Sequence, residues 1–274
     1  QRLATRKDHP TIRKEDNHEK IIQFFFDSFE EPSGDEFDEL LRIRDRKIAT
    51  TLDIQNVCDN KKVIIVGDIH GHFEKFSELL IKCDHRQEDI VVSVGDLVDR
   101  GPSSDKVLHW FRSNPSAYVC QGNHDNKLMR WMKGNPVKIA NGLDQTIKQC
   151  QSFDFDSWSA WIELMPDMII IRGIDNEPSI VVHAGIDGRI PVFCQRKETC
   201  MYARRLDGKD FFDEVGGIPW WDTLTSLPYV FSGHISTDIV HPNRFSCCLD
   251  GGVASGGKLR AAIIDDQSFQ KVEV

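Results

Sequence analysis

Three short runs of mostly apolar, β-branched residues, each closed by a glycine step that carries an acid or an amide, constrain the fold of this chain more than any other feature. Residues 63–66 lead into Gly67-Asp68-Ile69-His70-Gly71, and residues 90–94 into Gly95-Asp96-Leu97-Val98-Asp99-Arg100-Gly101. Residues 117–120 lead into Gly122-Asn123-His124-Asp125. Runs this short, rich in β-branched residues and stopped by glycine or glutamine, read as buried strands, and the stretches between them read as helices. In an open α/β sheet, residues just past the carboxyl ends of parallel strands gather at one edge, where ligands bind. Asp68, His70, Asp96, Asn123 and His124 are therefore expected to meet in space. Glycine beside each of them lets backbone and substrate come close.

Oxygen and imidazole groups without a thiolate suit manganese, iron or zinc better than a closed structural zinc site, which favours cysteine. Two later histidines end expected strands in the same way: His183 in Val181-Val182-His183-Ala184-Gly185, and His234 in Phe231-Ser232-Gly233-His234. With Asp68, His70, Asp96 and Asn123 they make a set large enough for two metal ions if one carboxylate bridges, and Asp96 is the natural bridge. His9, His18, His85, His109 and His241 lack a carboxylate-rich motif, and His72 begins the first helix, so all six read as structural or solvated.

The chain divides near residue 62. Residues 1–62 are densely charged, with one strong apolar cluster, Ile21-Ile22-Gln23-Phe24-Phe25-Phe26, followed by Phe29. A turn over residues 32–35 precedes a second helix that can place Phe37, Leu40, Leu41 and Ile48 on one side. The expectation is a mostly helical extension packed on the main domain, and a partner-binding arm is the other reading. From residue 63 to 125 strands and helices alternate, and helical stretches cover residues 126–164. Short strands follow at 168–172, 180–183, 229–232, 246–249, 260–264 and 269–272. A βαβαβ half followed by a strand-rich half predicts an α/β domain over 63–274, with two packed mixed sheets and helices outside.

Composition excludes some roles. A formal net charge of -9 argues against loose, charge-driven binding to nucleic acid or to an anionic membrane. The eight cysteines show no CxxC pair and no framework spacing, so they are expected to be reduced. No stretch approaches the roughly 20 apolar residues of a membrane span, and residues 1–20 lack a signal-peptide pattern. A cytoplasmic or other soluble, reducing compartment is the expectation, although a leader removed before Gln1 would leave no trace.

The motifs GDIHG, GDLVDRG, GNHD, VHAG and SGH, in that order, resemble those of the calcineurin-like metallophosphoesterases, in particular the phosphoprotein phosphatase superfamily. The resemblance runs from residue 63 to the C-terminus and leaves the first 62 residues uncovered. Asp125 stands where most eukaryotic Ser/Thr phosphatases have glutamate, and the fourth motif reads HAG rather than HGG. The stretch from Gly122 to Leu128, with Val137-Lys138-Ile139 and Gly142-Leu143 after it, is similar to the phosphatase module of bacterial polynucleotide kinase-phosphatases. The ending Cys248-Leu249-Asp250-Gly251-Gly252, then Gly256-Gly257-Lys258-Leu259, resembles those modules and the symmetrical diadenosine tetraphosphatases.

This resemblance implies a four-layer αββα sandwich and two divalent metal ions, manganese in the first place, with iron, zinc or nickel as alternatives. It implies that Asp68, His70 and Asp96 hold one ion, and that Asp96, Asn123, His183 and His234 hold the other. A bridging hydroxide would attack phosphorus in line, without a covalent intermediate. By the same pattern Arg100 grips phosphate oxygens, Asn123 and His124 line the substrate, and His124, oriented by Asp99, protonates the leaving oxygen. Asp250 resembles an aspartate that supports the site, and a turn-forming aspartate is the alternative. Arg204, Arg205 and Arg244 are candidates for a second phosphate contact, against an ordinary solvated role. Trp220-Trp221-Asp222 could stack a nucleobase, but core and rim is the favoured reading. The implied substrate is a nucleotide-type compound, such as a dinucleoside polyphosphate or an RNA-end phosphate, or else a phosphoprotein. A protein Ser/Thr or Tyr phosphatase directed by partners is the alternative, and an inactive scaffold is disfavoured because every ligand is present.

Overall fold

β2 (Val63–Val66), β3 (Ile90–Ser93) and β4 (Ala117–Val119) form where the three apolar runs predict them, as adjacent parallel strands with Val63 beside Ile90 and Val91 beside Ala117. The computed structural model describes residues 49–53, 61–172, 178–208, 216–226, 228–240, 242–264 and 269–274. The expectations for residues 1–48 lie outside these. α1 (Phe73–Lys82) and α2 (Ser104–Ser113) connect the three strands. β11 (Arg260–Ile264) adds antiparallel to β2, and β12 (Phe269–Glu273) closes that edge, giving the order β12-β11-β2-β3-β4.

A second sheet has the order β1-β5-β6-β9-β10. It is built from β1 (Ala49–Asp53), β5 (Met168–Arg172), β6 (Ser179–Val182), β9 (Tyr229–Ser232) and β10 (Ser246–Cys248), while the short β7 (Arg205–Leu206) and β8 (Ile218–Pro219) pair antiparallel with each other. Strand pleat sorts the side chains into layers. Val63, Ile65, Val92 and Val94 meet Ile169, Ile171, Val181 and Phe231 between the sheets. Ile64, Val66 and Val91 turn outward under Phe76, Leu79, Leu108 and Leu128 of the helices. Met168, Ile170, Ile180 and Val182 face the other outer layer, with Ala203, Leu206 and Trp220. Burial on both faces explains why the strands read as continuous apolar runs rather than alternating ones. The result is two mixed sheets flanked by helices, as the motifs imply.

Two local differences have physical causes. The helical stretch from 126 to 164 is cut into α3 (Asn123–Met132), α4 (Leu143–Gln149) and α5 (Phe155–Glu163). The first break holds left-handed Gly134, Asn141 and Gly142, and the Cβ that any other residue would place at 142 would lie 2.2 Å from the Arg100 amide nitrogen; the second falls at residues 150–154, where Asp154 stands at the N-cap of α5. Within the expected helical extension, Ala49–Asp53 is instead a strand, parallel to β5 and in register from Ala49 beside Met168. The compact unit that holds both sheets spans Asp45–Val274. Among the described residues no helix is long and apolar enough to cross a membrane, and seven cysteines are free thiols.

Candidate metal centre

Every predicted ligand sits just beyond a strand. Asp68 and His70 follow β2, Asp96 follows β3, and Asn123 opens α3 after β4, so these come from the first sheet. His183 follows β6 and His234 follows β9, from the second sheet. The loops that carry them are bent: His70, Asp96, Asp99, Arg100 and His234 all have positive φ, between 46° and 73°. Such backbone costs energy in a non-glycine residue and persists only where its surroundings hold it. Here they do. The amides of Ile69 and His70 donate to the Asp96 carbonyl at 3.1 and 2.9 Å, and that of Gly71 donates to Leu97 at 2.8 Å. The amide of His234 reaches the Asp68 carboxylate at 3.1 Å, and at Gly233 a Cβ would lie 1.9 Å from that carboxylate.

The ring nitrogens are sorted by their backbone partners. His70 Nδ1 donates to the Val98 carbonyl at 2.8 Å, leaving the Nε2 lone pair 3.7 Å from Asp96 Oδ2. His183 Nδ1 donates to the Val94 carbonyl at 3.2 Å, leaving Nε2 3.5 Å from Asp96 Oδ1 and 2.9 Å from Asn123 Oδ1. His234 Nδ1 lies 3.0 Å from the same Asn123 oxygen. Burial holds His70 and His183 well below the ordinary imidazole range and His234 at about 4, so these rings are neutral, the form that can hold a cation. Burial, then the charges of Asp250 and Asp96, raises Asp68 well above a normal carboxyl, and burial raises Asp96 to about 6.

This donor set fits cations. Acceptor faces acceptor where the His183 lone pair meets Asn123 Oδ1, and buried carboxylates repel one another; divalent cations relieve both. Ligand atoms of His70, Asp96 and His124 lie within 4.8 Å of one another, as do those of Asp68, Asp96 and His183. The two groups share Asp96; they place His70 with His124 and Asp68 with His183, where the resemblance implies Asp68 with His70. Oxygen and imidazole without thiolate suit manganese, iron or zinc.

In the first of these groups, however, His124 already has other partners. Its Nδ1 is 2.6 Å from Asp99 Oδ2, and its Nε2 is 3.2 Å from the Arg100 guanidinium. Burial lowers the affinity of His124 for a proton, but Asp96 and Asp99 outweigh it and its pKa is raised. Arg100 also reaches His70 Nε2 at 3.1 Å, so its positive charge lies between the two imidazoles.

Asp250 Oδ1 accepts the Gly252 amide at 2.9 Å, making a turn, and its charge helps to raise the Asp68 carboxyl. Arg204 acts electrostatically on His234 and Asp250. Arg205 instead donates to the Gly216 and Gly217 carbonyls, and Arg244 stacks on Phe245. Trp220 is buried with its indole against Gly185, where a Cβ would approach it to 2.5 Å, so it belongs to the core. Trp221 sits at the rim of a small apolar cavity of about 90 Å³ with Ile235 and Cys248.

Motif reasoning leaves out Thr146 and takes Asp125 only as a departure from the eukaryotic motif. Thr146 Oγ1 donates to Asp99 Oδ1 at 2.7 Å and accepts the Asp99 amide at 3.0 Å, fixing the partner of His124. Asp125 accepts amides from the Asp96 loop. The capping position of Asp125, third in α3, was the one local signal for it.

Comparison with known proteins agrees with this geometry. The sequence pattern described as calcineurin-like phosphoesterase matches residues 61–251. A bis(5'-nucleosyl)-tetraphosphatase PrpE (asymmetrical) of Bacillus subtilis (strain 168) is 32% identical over 224 residues, 71% of this chain and 87% of the relative. A protein of the same name from Oceanobacillus iheyensis is 29% identical over 232 residues, 77% of this chain and 92% of the relative. Among solved structures, one provisionally described as a diadenosine tetraphosphatase is 28% identical with a TM-score of 0.66, covering 83% of this chain and 98% of that one. A protein serine/threonine phosphatase from Saccharomyces cerevisiae shares the fold, with a TM-score of 0.62 at 14% identity over 94% of this chain and 96% of that one.

Proposed function

This chain belongs to the calcineurin-like phosphoesterase family and is a metal-dependent hydrolase, and from there we propose that it cleaves the phosphate chain of a nucleotide-type substrate, a dinucleoside tetraphosphate in the first place. The observation that carries this reading is the pair of buried carboxylate–histidine groups that share Asp96. The tetraphosphatase relatives support the choice of substrate.

Asp68, His70 and Asp96 would hold one divalent cation, and Asp96, Asn123, His183 and His234 the other. Bound there, the cations supply Lewis-acid activation of water and neutralise negative charge on the substrate. Arg100 turns from the two imidazoles to the phosphate, where its planar fork grips two non-bridging oxygens and offsets transition-state charge. His124 holds its Nδ1 proton on Asp99 and presents Nε2 to the leaving oxygen as general acid. Asn123 and His124 line the substrate beside Arg100, and Asp250 supports the Asp68 side of the centre. The net charge of -9 leaves small nucleotides as better substrates than long nucleic acids. Residues 1–48, ahead of β1, are the candidate segment for binding a partner; deleting them with no change in substrate selection would remove that role.

The test is a substrate panel with the manganese-loaded full chain: a dinucleoside tetraphosphate, phosphoserine and phosphotyrosine peptides, RNA 2′- and 3′-phosphates, and p-nitrophenyl phosphate. The tetraphosphate is expected to give the highest kcat/KM. Faster turnover of phosphopeptides would replace this reading with that of a protein phosphatase.

A further inference from the structure

Asp125 is wholly buried, and its carboxylate serves two loops at once. Oδ2 accepts the amide of Asp96 at 2.8 Å and that of Gly122 at 3.2 Å, and Oδ1 accepts the amide of Leu97 at 3.0 Å. Successive amides at a left-handed bend make a concave seat for an anion, and here the anion is a side chain of the same protein. The contact is reciprocated, because the His124 amide donates to Asp96 Oδ1 at 2.9 Å. The loop of Asp96 and the first turn of α3 are thus tied by bonds in both directions. There is no slack in the joint: a Cβ at Gly122 would lie 2.3 Å from Asp96 Oδ1 and 2.9 Å from Asp125 Oδ2.

We propose that Asp125 is a positioning residue of the metal centre, setting the distance between Asp96, which belongs to both ligand groups, and Asn123 and His124 on α3. The inference rests on the two-cation reading above. Because Asp96 is shared, a shift of its loop disturbs both cation sites together, so the consequence is a loss of metal affinity rather than of one contact. Asp125→Asn keeps the volume but turns an NH2 group toward one of three amide donors, which breaks the joint without opening a cavity.

The experiment is calorimetric titration of Mn²⁺ into the metal-stripped full chain, with the melting temperature measured alongside. Asp125→Asn is expected to weaken Mn²⁺ binding about 10- to 100-fold, the range for residues that orient ligands. Asp89→Asn is the control. Asp89 is equally buried and accepts the Lys62 and Arg86 amides at 3.2 and 2.8 Å, but at the amino end of β3, away from the centre. It is expected to lower the melting temperature and leave Mn²⁺ affinity as in the unaltered protein. Asp125→Glu, which keeps charge and both oxygens but carries them one methylene farther from the backbone of α3, carries the test if Asp125→Asn does not fold, and it too is expected to bind Mn²⁺ more weakly. Binding within about twofold of the unaltered protein by the folded Asp125 variant, or an equal loss in Asp89→Asn, overturns the proposal. Failure of the unaltered protein to bind Mn²⁺, Fe²⁺ or Zn²⁺ would instead sink the two-cation reading from which it starts.

Discussion

Without metal, the contribution of Asp125 to the stability of this protein is expected to fall as pH rises from 6 to 8. Burial first, and the charge of Asp96 second, raises Asp125 from 3.8 to about 7. The folded state therefore holds a proton at pH 6 that the unfolded chain has already lost. A group whose folded pKa lies above its unfolded value stabilises the fold at low pH and loses that contribution as pH rises through the folded pKa. Between pH 6 and 8 the loss at Asp125 alone is about 1.4 kcal/mol, or about 3–6 °C in melting temperature for a domain of this size. His124, also raised, loses its contribution in the same direction above 6.5, and Asp96, at about 6, adds a smaller loss at the foot of the window. His70, His183 and His234 are lowered and shift stability the opposite way between pH 6 and about 7, where the unfolded imidazoles release their protons; Asp125→Asn keeps these groups and lacks only the Asp125 titration. The assay is scanning calorimetry of the EDTA-treated unaltered protein and Asp125→Asn at pH 6, 7 and 8 at one ionic strength, with and without Mn²⁺. The melting temperature of the unaltered protein relative to that of the variant is expected to fall from pH 6 to 8 by the amount given above. Manganese is expected to raise the melting temperature of the unaltered protein more at pH 8 than at pH 6, because it replaces the lost protons. A difference between the two metal-free proteins that stays flat or rises from pH 6 to 8 refutes this account of Asp125.

Asp96→Asn removes the shared carboxylate, and activity on p-nitrophenyl phosphate with Mn²⁺ is expected to drop by about a hundredfold or more, together with the Mn²⁺ stoichiometry; full activity would exclude Asp96 as the bridge. Thr146→Val leaves Asp99 short of a donor and is expected to cost about 1–3 kcal/mol in urea unfolding and to slow turnover, with Thr146→Ser restoring both. Gly185→Ala pushes a methyl into the Trp220 indole and is expected to lower stability by about 1–3 kcal/mol, read as a lower melting temperature and altered tryptophan fluorescence.

The parts of the structure legible in sequence were those written locally. β2, β3 and β4 announce themselves because each is a buried run ended by a glycine step, and the candidate ligands stand out because metal chemistry favours particular side chains beside those steps. β1 is different. Thr50 and Thr51 suit a strand, but its partner Met168–Arg172 lies far along the chain, and a charged flank with scattered apolar residues also suits a helix. Thr146 was hidden for a similar reason: a threonine inside a helix carries no mark that its hydroxyl meets a carboxylate 47 positions earlier. Asp125 was noticed as a departure from the eukaryotic motif, but only its hydrogen bonds show that it braces the loop of Asp96. Trp220 shows the reverse case, where the plainer reading of two adjacent tryptophans, core and rim, matches the structure.

The candidate ligands come from two sheets, and this has mechanical consequences. Four of them stand on loops of the β2-β3-β4 sheet and two, His183 and His234, on loops of the other, while the two sheets otherwise meet through a mainly apolar seam, crossed by bonds such as that from the Cys120 thiol to the Val181 carbonyl at 3.2 Å. Cations bound at the centre would rivet one sheet to the other at a single edge and oppose the sliding that an oily seam permits. Loading with metal would then slow amide exchange in β9 and β10, whole strands away from any reacting atom, and make the two halves of the sandwich unfold as one.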